Sequence, residues 1–219
     1  GERLLERLAS LVAKEHERRR GRGAAGRRRL LGIDVGANVG ATLGLVRDCC
    51  GAALDGGADP VHIFAFEANP ANLELLESHA KRHERAGTLS FTMCPIVASD
   101  SAQRRRFYVN RRKNFAGNQH GSVYDLKDEY DGQDGFLELC ADTVDHALWG
   151  VQPPPGGRAQ AGTAAGGGAA LAEGFAQDAP VDFVKIDVEG HELAVLQGMR
   201  ETLRRTRFVY FECSHLLKH

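Results

Sequence analysis

The chain has 219 residues, enough for one sizeable core, and its 42% hydrophobic and 26% charged residues are the profile of an ordinary globular domain. A formal net charge of -1 gives no global reason to expect nucleic acid or an anionic membrane as partner. Five cysteines, an odd number without a C-x-x-C pair, point to free thiols in a reducing compartment rather than to a disulfide framework.

Residues 2–16 (ERLLERLASLVAKEH) set Leu4, Leu5, Leu8, Leu11 and Val12 at helical spacing with charge elsewhere. That pattern predicts an amphipathic helix docked on the domain. Arg18, Arg19, Arg20, Arg22, Arg27, Arg28 and Arg29 then crowd a glycine-rich stretch, which reads as a solvated, flexible arm. Residues 1–29 are therefore set apart from a domain at 30–213, with 214–219 as a tail. No apolar run approaches the ~18 residues of a membrane span, and no signal-peptide pattern is present, so the expected location is cytoplasmic. The chain begins at Gly1 rather than Met, which leaves room for a trimmed targeting segment.

From residue 30 onward, short apolar runs end in acids. Leu30 to Val35 is the first, Val61 to Glu67 the second, and Leu89 to Asp100 the third, with Pro95 predicting a bulge or irregularity. Val181 to Val188 is the fourth and Arg207 to Glu212 the fifth. Near-continuous apolar runs are what strands buried on both faces look like. Helical segments separate several of them: 40–50, 70–85 with Pro70 in the first turn, and 192–205 as one helix. Strand–helix alternation at this spacing predicts an α/β fold, a mostly parallel sheet with helices on both faces. Residues 101–148 break the pattern and predict two short strands, at 106–109 and 140–144, around a polar loop. Residues 150–180, with Pro153 to Pro155 and Gly166 to Gly168, read as a disordered Gly/Ala/Pro surface loop without anchors.

The turn after the first run reads Asp34-Val35-Gly36-Ala37-Asn38-Val39-Gly40. Glycines there let backbone approach a ligand beyond the carboxyl ends of the strands. A dinucleotide loop reads G-x-G-x-x-G and stays free of charge because pyrophosphate sits on it. Asp34 would repel a pyrophosphate but suits the ammonium group of S-adenosylmethionine. Glu67 is placed to accept ribose hydroxyls, a device dehydrogenases share. Asp100, at the third strand end, is placed to accept from the adenine amino group. The fourth strand runs into KIDVEGHE (185–192), three acids, a lysine and a histidine in eight positions.

Taken together, IDVGANVG (33–40), FAFEANPANLELLESH (64–79), ASD (98–100) and VDFVKIDVEGHELAVLQGM (181–199) resemble the FkbM family of S-adenosylmethionine-dependent methyltransferases. The resemblance covers roughly residues 30–100 and 181–213, and D-x-E-G-x-E after a V-D-F-x-K strand is its most specific part. It implies a Rossmann-like class I methyltransferase sheet, with 101–148 as an acceptor-side insertion. It also implies S-adenosylmethionine as cofactor and methylation of a hydroxyl on a sugar, glycolipid or natural-product-like acceptor. By position, Asp34, Gly36, Asn38 and Gly40 line the methionine end, Glu67 takes the ribose, Asp100 the adenine, and Asp187 and Glu189 flank the transfer site. That fold ordinarily adds two strands after the fifth, so its C-terminal strands are expected to be missing here.

An alcohol nucleophile needs a base within hydrogen-bond reach. Asp187 and Glu189 are the first candidates, and His120 in the acceptor-side loop is a third. His191 is read as a surface residue at a helix start, Glu192 as a partner for the first-turn amides, and Lys185 as a neutraliser of the acids. Asp187, Glu189 and His191 have metal-ligand chemistry, but residues two apart at a strand-to-helix turn rarely converge, so no metal is assigned. The N/D-P-P-Y signature of base methylation is absent after the fourth strand, which argues against a nucleic-acid partner. The expected partner is a small-molecule or glycan acceptor. The alternatives are a catalytically inactive, methyltransferase-like interaction domain and a NAD(P)-dependent dehydrogenase.

Overall fold

The structure, a computed structural model, describes residues 2–20, 29–46, 61–85, 89–110, 121–124, 133–152, 171–172, 174–176 and 178–212. Helix α1 (Glu2–Arg20) precedes β1 (Leu31–Val35), which turns into a helix described over 41–46, α2. Then come β2 (Val61–Phe66), α3 (Pro70–Arg85) and β3 (Leu89–Cys94). Four strands follow: β4 (Val97–Ala98), β5 (Gln103–Asn110), β6 (Gly121–Ser122) and β7 (Gln133–Asp142). α4 (Val144–Trp149), β8 (Val181–Ile186), α5 (Glu192–Gln197), α6 (Arg200–Arg204) and β9 (Thr206–Phe211) close the described chain.

The main sheet has the order β3-β2-β1-β8-β9, and every pairing in it is parallel. β1, β2 and β8 are buried at every position, which is why their sequences run apolar without alternation. Leu31, Ile33, Phe64, Phe66, Val184 and Ile186 join one core with α4, Val195 of α5 and Met199. Val61, Ile63, Ala65 and Phe183 join the opposite core with Leu8 and Val12 of α1, Leu43 of α2 and Leu76 of α3. Helices therefore cover both faces. α1 is docked as expected, with Arg207 of β9 paired to Glu15, although Leu11 stays 47% exposed. Arg18 to Arg20 belong to this helix and not to an arm; Arg22, Arg27 and Arg28 lie outside the described residues. Among the described residues, no helix is long and apolar enough to cross a membrane.

Three elements differ from the sequence expectation, each for a local reason. The third run is two strands. β3 ends at Cys94, Pro95 interrupts the ladder, and β4 resumes in a second sheet of order β4-β7-β5-β6. In that sheet β5 and β7 form a long antiparallel hairpin with an irregularity near Tyr108, rather than two short strands. Strand β7 stops at Asp142 because Thr143 caps α4, its side chain accepting from the His146 amide at 3.0 Å. The helix expected over 192–205 is broken at Gly198, which packs against the Ser99 carbonyl with no room for a Cβ.

Asp145 of α4 then caps the second half, accepting from the amides of Glu201 (2.8 Å) and Thr202 (2.9 Å) and from the Thr202 hydroxyl (2.7 Å). The loop ending at 180 does have anchors. The amides of Leu171 and Ala172 donate to the Ala147 and Leu148 carbonyls, and Phe175 meets the rings of His62 and Phe64. Removing the shared cap tests this account. Asp145→Ala is expected to lower the unfolding free energy by about 2–4 kcal/mol in urea denaturation, because three bonds to one carboxylate are lost. Trp149, whose Nε1 donates to Thr202 at 3.0 Å, reports the transition by fluorescence.

Candidate functional site

β1 has β2 on one side and β8 on the other, so chain order reverses at its carboxyl end, where a crevice opens. Backbone bonds fix the crevice before any side chain acts. The amides of Gly36 and Ala37 both donate to the Phe66 carbonyl at 2.9 Å, and the Asp187 amide donates to the Val35 carbonyl at 2.9 Å. Gly36 has φ +78 and a Cβ there would overlap the Asp187 carbonyl, so only glycine fits. Glu67 bridges two strand ends, accepting from the Asn38 amide (2.8 Å) and the Asn69 amide (2.7 Å). Burial pushes its carboxyl above the ordinary range despite those bonds. The result is a cavity of about 250 Å³ lined by Gly36 to Val39, Glu67, Lys185, Asp187 and Glu189, with Ile96, Val97, Phe107 and Val123 as its apolar wall.

Lys185 organises the floor. Its Nζ lies 3.2 Å from Asp34, 3.5 Å from Asp187 and donates to the Gly36 carbonyl at 2.7 Å, with the side chain only 5% exposed. Burial works against the charge, but the two carboxylates outweigh it and hold the ammonium above its ordinary pKa. Lys185 thus neutralises the acids, as its place in the sequence suggested. Asp34 is fully buried behind it and does not line the cavity; its Oδ1 faces Lys185 as a buried ion pair. Gly40 is also outside the lining, its φ of +91 fitted against Leu43 and Leu76. Of the residues expected to hold a cofactor, the fold brings Gly36, Asn38 and Glu67 together around one space.

Asp100 stands away from the lining and accepts from Arg105 (2.7 Å), Ser101 (2.8 Å) and Ser99 (3.1 Å). Burial pushes its carboxyl up, but the bonds from Ser101 and Ser99 and the charge of Arg105 outweigh it, leaving it below the ordinary range. His191 is not a surface residue. It is buried, lines the cavity, and meets Ser99 Oγ through Nε2 at 3.0 Å. Burial, helped by the charge of Arg105, lowers its pKa to about 4.

Glu192 serves the turn rather than the helix start, its carboxylate accepting from the amides of Val188 (3.3 Å) and Gly190 (3.0 Å). That turn holds Glu189 at φ 54, a left-handed conformation uncommon outside glycine, and Ser122 Oγ donates to the Glu189 carbonyl at 2.8 Å. His120 lies outside the described residues. Among the described residues, no group of three or more His, Cys, Asp or Glu is placed to hold a metal. The partners of Ser99 and Ser122 were not legible in the sequence, because each acts on a residue more than sixty positions away.

Residues 169–218 match the family model of the Methyltransferase FkbM domain. The FkbM match takes in β8, the 187–191 turn with Asp187 and Glu189, and β9; the glycine loop, Glu67 and Asp100 lie outside it. Neither a curated protein nor a solved structure matches the chain.

Two measurements test the geometry. Gly36→Ala is expected to strain the backbone by about 1–3 kcal/mol before any clash, and so to lower the melting temperature. Gly44→Ala, in open space on α2, is expected to be neutral or slightly stabilising by the same assay. The second measurement concerns pH. His62 and His191 are both held neutral by burial, at about 4 against an ordinary 6.5. Between those values the unfolded chain binds more protons than the folded one. Their contribution to stability is therefore complete above about pH 6.5 and is lost as pH drops toward about 4, and His191→Gln removes its share of the slope in urea titrations.

Proposed function

We propose that the chain is an S-adenosylmethionine-dependent methyltransferase that methylates a hydroxyl of a sugar, glycolipid or natural-product-like acceptor. The observation that carries this reading is the charge of the cavity. Glu67, Asp187 and Glu189 line it against Lys185, whose ammonium is already held by Asp34, Asp187 and the Gly36 carbonyl. Such a lining favours a ligand with positive charge and no phosphate. A dinucleotide would bring two phosphates to the same loop and meet repulsion. The parallel order, with β1 at the switch point, agrees with a Rossmann-like class I sheet, and the FkbM match over the last two strands supports a methyltransferase.

In this reading the loop at 36–38 receives the methionine end. Glu67, with one backbone donor on each oxygen, keeps lone pairs for the ribose hydroxyls. The apolar wall of Ile96, Val97 and Phe107 receives the adenine and excludes water. When bound, the cofactor supplies a methyl group on a cationic sulfur. Asp187 and Glu189 orient the acceptor hydroxyl and take its proton as the C–O bond forms. Asp34 acts from behind the floor, by keeping Lys185 charged and in place.

Isothermal titration separates the candidates. S-adenosylmethionine is expected to bind and NAD is not; the reverse result, or binding of neither, would overturn the proposal. Methyl transfer to a panel of glycans, lipids and small alcohols, followed by mass spectrometry, identifies the acceptor. Asp187→Asn is expected to reduce that transfer by about 10²–10⁴ while the variant still binds the cofactor.

A further inference from the structure

Asp100 and His191 belong to one chain of hydrogen bonds. Asp100 is a carboxylate and can only accept, so the hydroxyl proton of Ser99 is committed to it at 3.1 Å. The Ser99 oxygen is then left to accept, and the group facing it at 3.0 Å is His191 Nε2. This order of donors fixes the neutral imidazole as the Nε2–H tautomer and leaves Nδ1 as a bare acceptor. Nδ1 is buried and has no hydrogen-bond partner among the described residues, although its ring lines the cavity. A buried acceptor without a donor is costly, and at a cavity wall it marks where a ligand donor belongs.

The surroundings say which donor. His191 joins Ser99 directly after the apolar wall of Ile96, Val97 and Ala98, which with Phe107 suits a flat heteroaromatic ring. Tyr124 stands edge-on to the imidazole at 5.8 Å, adding a second aromatic group at that end. Asp100 itself is outside the lining, and its Oδ1 takes the bonds from Ser99, Ser101 and Arg105, so it meets the cavity only through Ser99.

We infer that His191 is a cofactor-binding residue, its Nδ1 accepting a hydrogen bond from the 6-amino group of the cofactor's adenine. Asp100 serves that contact only as a positioning residue, through Ser99. The inference rests on the proposed S-adenosylmethionine site and adds the group that selects its base.

The test compares S-adenosylmethionine with the analogue in which hydrogen replaces the 6-amino group, by isothermal titration. The native chain is expected to bind the cofactor about tenfold more tightly than the analogue, the size of one hydrogen bond. In His191→Gln, whose longer amide still reaches Ser99 but leaves the Nδ1 position empty, the two ligands are expected to bind within about twofold of each other. His191→Asn, with an amide oxygen near the Nδ1 position, is expected to recover part of the preference. Preference retained in His191→Gln, or absent from the native chain, overturns the inference while leaving the cofactor assignment standing. Binding of neither ligand by the native chain overturns both. Should His191→Gln fail to fold, nitrogen NMR of the native imidazole decides. An Nε2–H tautomer whose Nδ1 resonance moves with S-adenosylmethionine but not with the analogue supports the contact, and an unmoved Nδ1 refutes it.

Discussion

A buried lysine between two aspartates holds the crevice in shape. Lys185 sits on β8, Asp34 on the neighbouring β1, and the two are opposite each other in the parallel register. Taking both charges out of water is costly, and the pairing offsets that cost only because the lysine also reaches the Gly36 carbonyl and Asp187. One cation therefore ties together the first strand, the loop that follows it and the turn after the fourth core strand. Removing Lys185 would leave Asp34 buried with no countercharge, which is why this pair cannot be relaxed one partner at a time.

The same arrangement explains how the acids divide their work. Asp34, Glu67, Asp100 and Asp187 end successive strands or near-strands, and in sequence they look equivalent. Burial and partners separate them. Asp34 is spent on Lys185, Asp100 on Arg105 and two serines, and Glu67 on two backbone amides. Asp187, with its side chain 37% exposed, lines the cavity and keeps its carboxylate open to a ligand there. In the proposed reaction that openness matters more than position, since a base must reach the acceptor proton.

The three central strands were legible because strands buried on both faces leave unbroken apolar runs, and β1, β2 and β8 are buried at every position, whereas the edge strands β3 and β9 are only partly buried. The glycine loop was legible because Gly36 answers a backbone demand, a positive φ pressed against Asp187. The break between α5 and α6 was not, because a helical stripe continues through Gly198. What stops the helix is the Ser99 carbonyl against Gly198 and the Asp145 carboxylate at the next helix start, both remote in sequence. His191 was misread for a related reason. A histidine amid acids at a helix start looks solvated, but it is buried and meets Ser99, 92 positions away, and the ring of Tyr124. Residues whose role is set by their own backbone can be read from the sequence; residues whose role is set by a distant partner cannot.

Glu189 shows what the second sheet contributes. A left-handed glutamate is unfavourable by roughly 1–3 kcal/mol, and it persists only where its surroundings impose it. Here the Glu192 carboxylate accepts from the amides on either side, and the Ser122 hydroxyl of β6 donates to the Glu189 carbonyl. Among the described strands, β6 pairs with β5 of the hairpin sheet. The direction of the Glu189 carboxylate thus depends on a sheet that also supplies Phe107 to the cavity wall. In the proposed enzyme, one small sheet shapes the space for the ligand and sets the acid beside it. A change in how that sheet packs would then alter both together, so acceptor fit and proton acceptance are coupled through the short pairing of β6 with β5.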